Sequence, residues 1–63
     1  MTKIEFQRRK NGFTQTELAE VLHITCGAIS MWETGVARPL EKRIQQMAEL
    51  FGVSEDDLRG DVE

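Results

Sequence analysis

The stretch QTELAEVLHITCGAISMWET, Gln15 to Thr34, decides the fold. Its apolar residues fall in two blocks at helical spacing, Leu18-Ala19-Leu22 and Ile29-Trp32, with His23-Ile24-Thr25 between them. Just upstream, Thr14-Gln15-Thr16-Glu17 is a capping box: the Thr14 hydroxyl accepts from the Glu17 amide and the Glu17 carboxylate accepts from the Thr14 amide. Phe13 before that cap and Leu18 after it make the matching hydrophobic staple. Thr25 caps the second block, with Ile24 and Ile29 as its staple. The spacing therefore predicts one helix from the Thr14 cap to His23 and a second from the Thr25 cap to Gly35. Two helices joined by a turn of about three or four residues cross at ~90–120°, so the second projects from the body of the protein. Ala19 falls where the first must pass close to the second, and a larger side chain would push them apart.

Outward from this pair the pattern stays helical. A first helix is predicted from Thr2 to Lys10, stopped by Asn11-Gly12, both of which tolerate the left-handed conformation. Gly35 to Pro39 reads as a loop. A fourth helix follows from Leu40 to Phe51, with Ile44, Met47, Ala48 and Phe51 inward and Gly52 as its C-cap. Ser54-Glu55-Asp56-Asp57 caps a short fifth helix, with Val53 and Leu58 as staple and three acids suited to the helix dipole. Gly60 ends it, and Asp61 to Glu63 are expected to fray. Phe6 and Val62 belong to no stripe; an exposed pair there would suggest a contact between copies. The expected fold is all-α, a five-helix bundle forming one domain over residues 1–63.

The chain has 63 residues. A domain so short buries only about 60% of the surface its unfolded chain exposes, which argues against a large enclosed active site. One cysteine excludes an internal disulfide and fits a reducing compartment. No run of about 18 apolar residues is present, and Met-Thr-Lys-Ile-Glu-Phe lacks the apolar core of a secretory signal, so a cytoplasmic protein away from membranes is expected. The net charge of −3 is unevenly spread. Residues 1–43 carry Lys3, Arg8, Arg9, Lys10, Arg38, Lys42 and Arg43 against Glu5, Glu17, Glu20, Glu33 and Glu41; residues 44–63 carry only Arg59 against six acids. Attraction to phosphate depends on which face carries the cations, so the basic first part matters more than the total.

Three segments together resemble the phage-repressor-like helix-turn-helix family, the lambdoid repressors, Cro and their Xre-type bacterial relatives: Phe13 to Glu20, Ile29 to Gly35, and Met47 to Val53. The resemblance runs from Ile4 to Leu58. It implies a lambda-repressor-like bundle that lays its third helix in the major groove of double-stranded DNA and regulates transcription, as a repressor. Residue by residue, it implies phosphate contacts from Gln15, Thr25, Arg38, Lys42 and Arg43. Base-reading positions fall at Cys26, Gly27, Ser30 and Met31, and an ion pair between the first and third helices at Arg8 and Glu33. It also implies a weak or DNA-dependent homodimer on a two-fold symmetric operator, with recognition helices about 34–36 Å apart. Two departures stand out. Position 23 is usually glycine, because the turn needs positive φ; histidine is among the residues enriched there. Cys26, Gly27, Ser30 and Met31 include none of the bidentate base readers Gln, Asn and Arg, so direct readout is expected to be modest and phosphate contacts and DNA shape to weigh more.

Plainer readings account for several residues. His23 has no second histidine and reads as a turn residue, neither metal ligand nor base. Cys26 reads as a small surface contact, although its place in a first helical turn would suit a redox role. Trp32 reads as core, and the acidic C-terminal part as capping and solubility. No metal constellation, nucleophile–base pair or glycine-rich phosphate loop is present, so neither an enzyme nor a bound cofactor is expected. The alternative to a DNA-binding regulator is a protein-interaction module on the same fold, an antitoxin-like or anti-regulator partner with weak or no DNA binding.

Overall fold

Helix starts follow the side-chain caps. In the computed structural model, which describes residues 1–62, Thr2, Thr14, Thr25 and Ser54 all lie in extended backbone. Each hydroxyl accepts the amide three residues on, at 3.3, 3.0, 3.2 and 3.3 Å respectively. Behind these caps, or behind Leu40 without one, run α1 (Lys3–Lys10), α2 (Gln15–Leu22), α3 (Cys26–Thr34), α4 (Glu41–Phe51) and a 3₁₀ turn at Glu55–Leu58. The capping box at Thr14 is closed from both sides, with the Thr14 amide donating to Glu17 Oε1 at 2.9 Å.

The turn between α2 and α3 is made by His23, the one non-glycine with positive φ among the described residues, at φ 57°. It takes the left-handed conformation that ends α2 and lets Ile24 return its amide to Ala19 O at 3.0 Å. Asn11 does not do the same for α1. Its φ is −91° and its side-chain amide donates to Gln7 O at 2.8 Å; only Gly12, at φ 78°, turns left-handed.

Ile4, Leu18, Ala19, Leu22, Ile29, Ile44, Met47, Ala48, Phe51 and Leu58 form one buried cluster, with Phe13, Ile24, Trp32 and Val53 packed against it. Both halves of each expected staple therefore lie in the core or against it. Phe13 also stacks tilted on Phe51, ring centroids 5.9 Å apart, which fastens the start of α2 to the end of α4. Trp32 is only half-buried; on α3 the fully inward residues are Ile29 and Glu33.

Two expectations at the C-terminal end are corrected. The fifth helix is a single 3₁₀ turn that closes at Arg59, one residue before Gly60. Four residues and an acidic cap, Ser54 with Asp57, leave room for one turn only. Asp61 and Val62 do not fray: Asp61 pairs with Thr2 in an isolated antiparallel bridge, Lys3 donates to Gly60 O at 2.9 Å and Val62 to Met1 O at 2.9 Å. Gly60, at φ 80°, redirects the chain so that these bonds form. Glu63, the last residue expected to fray, lies outside the described residues. Among those residues no helix is long and apolar enough to cross a membrane.

The capping box makes a testable contribution. Hydrogen bonds from Thr14, first its backbone amide and then its side chain, hold the Glu17 carboxyl below its ordinary value. A carboxyl lowered in the folded state stabilises above its unfolded pKa of about 4.3, and that contribution disappears as pH falls through the lower folded value. Thr14→Ala is expected to lose about 1 kcal/mol at pH 7. In thermal denaturation the gap between Thr14→Ala and the parent should narrow below about pH 4, and the Glu17 titration, followed by NMR, should move only part of the way up towards the ordinary carboxylate range, because the backbone amide of residue 14 still donates.

Candidate nucleic-acid interface

α3 is buried on one side only. Ile29 and Glu33 point inward, while Gly27, Met31 and Thr34 are exposed and Ser30 is half-exposed. These four fall at i, i+3, i+4 and i+7, so they form one outward stripe along the helix. The nine residues of α3 span about 13.5 Å at 1.5 Å each, comparable to the ~12 Å width of a DNA major groove. A Cβ built on Gly27 would meet only Thr25 Oγ1, at 3.9 Å, so nothing inside the protein requires glycine there. Met31 offers the largest apolar side chain on the stripe and is 45% exposed. Thr34, which was not among the sequence candidates, completes the stripe. Its hydroxyl donates back to Ser30 O at 3.0 Å, a bond within the same stripe.

The N-terminal ends of α2 and α3 come together. Cys26 Sγ lies 3.9 Å from Gln15 Oε1 and 3.9 Å from Thr16 Oγ1. Cys26 and Thr16 are both exposed, so Thr16 joins the candidate surface although no sequence signal singled it out. Capping was the only role its neighbourhood suggested, and Thr14 fills that. Thr25 spends its hydroxyl oxygen on the Ala28 amide, which leaves its hydroxyl hydrogen free to donate. Gln15 is half-buried, and its Nε2 donates inward to Glu33 Oε1 at 3.0 Å.

Beneath this junction lies a buried ion pair. Arg8 Nε donates to Glu33 Oε2 at 2.5 Å and Arg8 Nη2 to Glu33 Oε1 at 3.0 Å, with the side chains 9% and 3% exposed. Arg8 Nη1 donates to Phe13 O at 2.8 Å, so one guanidinium links α1, the segment before α2, and α3. The Glu33 hydrogen bond holds the Arg8 pKa above its ordinary value against the opposing effect of burial.

Of the five sequence candidates for contact with an anionic backbone, Gln15 and Thr25 lie at the junction just described, and the three cations Arg38, Lys42 and Arg43 are placed differently from one another. Arg43 is committed to the scaffold: its Nη1 donates to Leu22 O at 2.9 Å and to Gln46 Oε1 at 3.0 Å. Leu22 ends α2, whose last carbonyls have no partner within the helix, and a cation is favourable at that end. Elsewhere Arg9 pairs with Glu5, Arg59 with Glu41, Glu55 and Asp56, Lys3 donates to Asp56 O, and Lys10 lies over the Phe6 ring. Arg38 and Lys42 are exposed and, among the described residues, have no ion pair or side-chain hydrogen bond. Both follow α3 directly, in the loop and first turn of α4. Among the described residues no three His, Cys, Asp or Glu side chains come together as a metal site.

Comparison with known proteins places the chain in a family. The Helix-turn-helix family matches residues 4–58. The chain is 34% identical over 56 residues to the HTH-type transcriptional activator BcrR of Enterococcus faecalis. That match covers 89% of this chain but only 28% of the activator, so the chain spans about a quarter of the relative's length. No solved structure matches.

The two kinds of cation separate experimentally. Arg43→Met is expected to destabilise the domain by about 1–2 kcal/mol, because the Leu22 carbonyl loses its donor. Arg38→Ala and Lys42→Ala should stay within about 0.5 kcal/mol of the parent, as surface changes do. Urea denaturation of the three variants checks both statements.

Proposed function

We infer that this chain, which belongs to the helix-turn-helix family, binds double-stranded DNA sequence-specifically and regulates transcription. The observation that carries the reading is the one-sided burial of α3, which leaves Gly27, Ser30, Met31 and Thr34 outward on a helix of groove length. In this reading α3 enters the major groove. Gln15 and Thr25 touch phosphate at the joined ends of α2 and α3, and Arg38 and Lys42 touch it beyond the other end of α3. Arg43 is anchored to Leu22 O and Gln46 through Nη1, which leaves its Nε and Nη2 to reach phosphate. Met31 lies against a thymine methyl, and Ser30 bonds to base edges with little discrimination. Cys26 and Gly27 sit at the groove without a strong readout of their own. Most of the affinity then comes from phosphate and shape, and the sequence preference is modest.

The domain measures 26 Å in its longest extent, so one copy covers one half-site. Two copies on a two-fold operator place their recognition helices about 34–36 Å apart, in a dimer that forms with the DNA. Repression asks least of such a domain, since an occupied duplex is closed to other proteins. Activation, the activity in the name of the E. faecalis relative, asks for a further surface that touches the transcription machinery. The chain acts as a binding protein, not an enzyme, and in the cytoplasm.

Selection of bound duplexes from a random pool, followed by salt titration, tests this. A two-fold symmetric consensus is expected, and log affinity should fall linearly with log salt. Arg38→Ala and Lys42→Ala should each weaken binding to all sequences and reduce the salt slope by about 1, while Met31→Ala should change which sequence is preferred. No measurable affinity for any duplex at low salt would leave the protein-interaction module instead, with Val36 (75% exposed) and Leu40 (72% exposed) beside α3 as its apolar surface.

A further inference from the structure

We propose that Glu33 is a positioning residue for DNA binding: it holds the Gln15 amide, before any DNA arrives, in the orientation that contacts phosphate. The proposal rests on the phosphate role of Gln15 given above and assigns a second function to a carboxylate otherwise explained by its ion pair.

Three observations carry it. First, Glu33 Oε1 accepts two hydrogen bonds, from Arg8 Nη2 at 3.0 Å and from Gln15 Nε2 at 3.0 Å. The ion pair is complete without Gln15, so the fold does not need that third bond. Second, the Gln15 amide is engaged at both ends, because its Oε1 faces the Cys26 thiol at 3.9 Å. The two contacts fix which end is nitrogen. Of the two Nε2 hydrogens, one is spent on Glu33 and the other remains for an outside acceptor. Third, the charges suit a neutral donor. A carboxylate near a phosphate repels it, but Arg8 neutralises Glu33 through a two-pronged bond, and the uncharged amide stands between carboxylate and surface. A lysine at position 15 would be drawn to Glu33. A glutamine accepts direction from it and keeps a donor. A side chain already ordered loses less rotamer freedom on binding, which is how preorganisation raises affinity.

The test compares DNA affinity of the parent with Gln15→Ala, with the pair Arg8→Met and Glu33→Leu, and with all three changes combined. Folding is checked in each case by circular dichroism. Replacing both partners of a buried ion pair by apolar residues often preserves stability, whereas removing one does not. Gln15→Ala is expected to lower affinity roughly tenfold, the value of about one hydrogen bond, at unchanged fold. The Arg8→Met, Glu33→Leu pair should lower it by no more than that factor, and the triple variant should bind as Gln15→Ala alone does. A folded pair variant that binds like the parent, or losses that multiply in the triple variant, would overturn the proposal. If the pair variant does not fold, the parent decides by NMR: the Gln15 side-chain amide should show an ordered heteronuclear NOE without DNA, unlike exposed Gln45, and equal mobility of the two overturns the proposal. Should Gln15→Ala bind like the parent while the parent still binds duplex, the phosphate role of Gln15 is what fails. Should the parent bind no duplex, the DNA-binding reading itself fails.

Discussion

Arg8 and Glu33 impose the constraint on which the remaining structure depends. A charge taken out of water costs several kcal/mol unless it is matched in charge and in hydrogen bonds, and both partners here lie inside a domain whose total stability is on the order of 3–9 kcal/mol. The pair is tolerable only when α1, the Phe13 carbonyl and α3 stand in one arrangement, because the guanidinium reaches all three. Apolar packing of Ile4, Leu18, Ile29 and Met47 drives the helices together without much concern for exact orientation. The fork of the arginine supplies that orientation. A helix turned by one residue would leave a buried charge unpaired, so the ion pair selects among packings that the core alone would accept.

Features set by neighbours in sequence were legible there. The caps at Thr14, Thr25 and Ser54 act over three residues, and the stops at His23, Gly35 and Gly52 need only the local left-handed backbone. Features that depend on what the fold brings together were not, apart from the Arg8–Glu33 pair that the family resemblance implied. Nothing near Arg43 in sequence announces the Leu22 carbonyl 21 positions away. The Phe13–Phe51 contact and the Thr2–Asp61 bridge are silent for the same reason. Trp32 packs against the core as its spacing indicated, but only half-buried, because periodicity gives direction and not depth. For the candidate site, the outward stripe of α3 followed from its helical period, whereas the internal tie of Gln15 required the position of Glu33.

The accounting of cations also resolves an apparent conflict between an acidic chain and an anionic partner. Most of the lysines and arginines are spent inside the molecule, on carboxylates, on carbonyls or on the Phe6 ring. The acids of the C-terminal part are partly spent too, on the Ser54 cap and on Arg59. Net charge therefore says little about the surface beside α3. Two cations near one end of that helix, together with neutral donors at the other, suit a proposed partner held by position more than by long-range attraction.

Gly27 gives this arrangement a history and a future. With no Cβ and open space around it, the position is a blank on the outward stripe. A Cβ added there would need no rearrangement behind it, and replacing a helical glycine by alanine recovers up to about 0.5–1 kcal/mol of backbone freedom otherwise lost on folding. Most changes of binding preference tax stability. In the proposed role of α3, a first step towards a stronger reader would add to it, so its sparse surface is also an evolvable one.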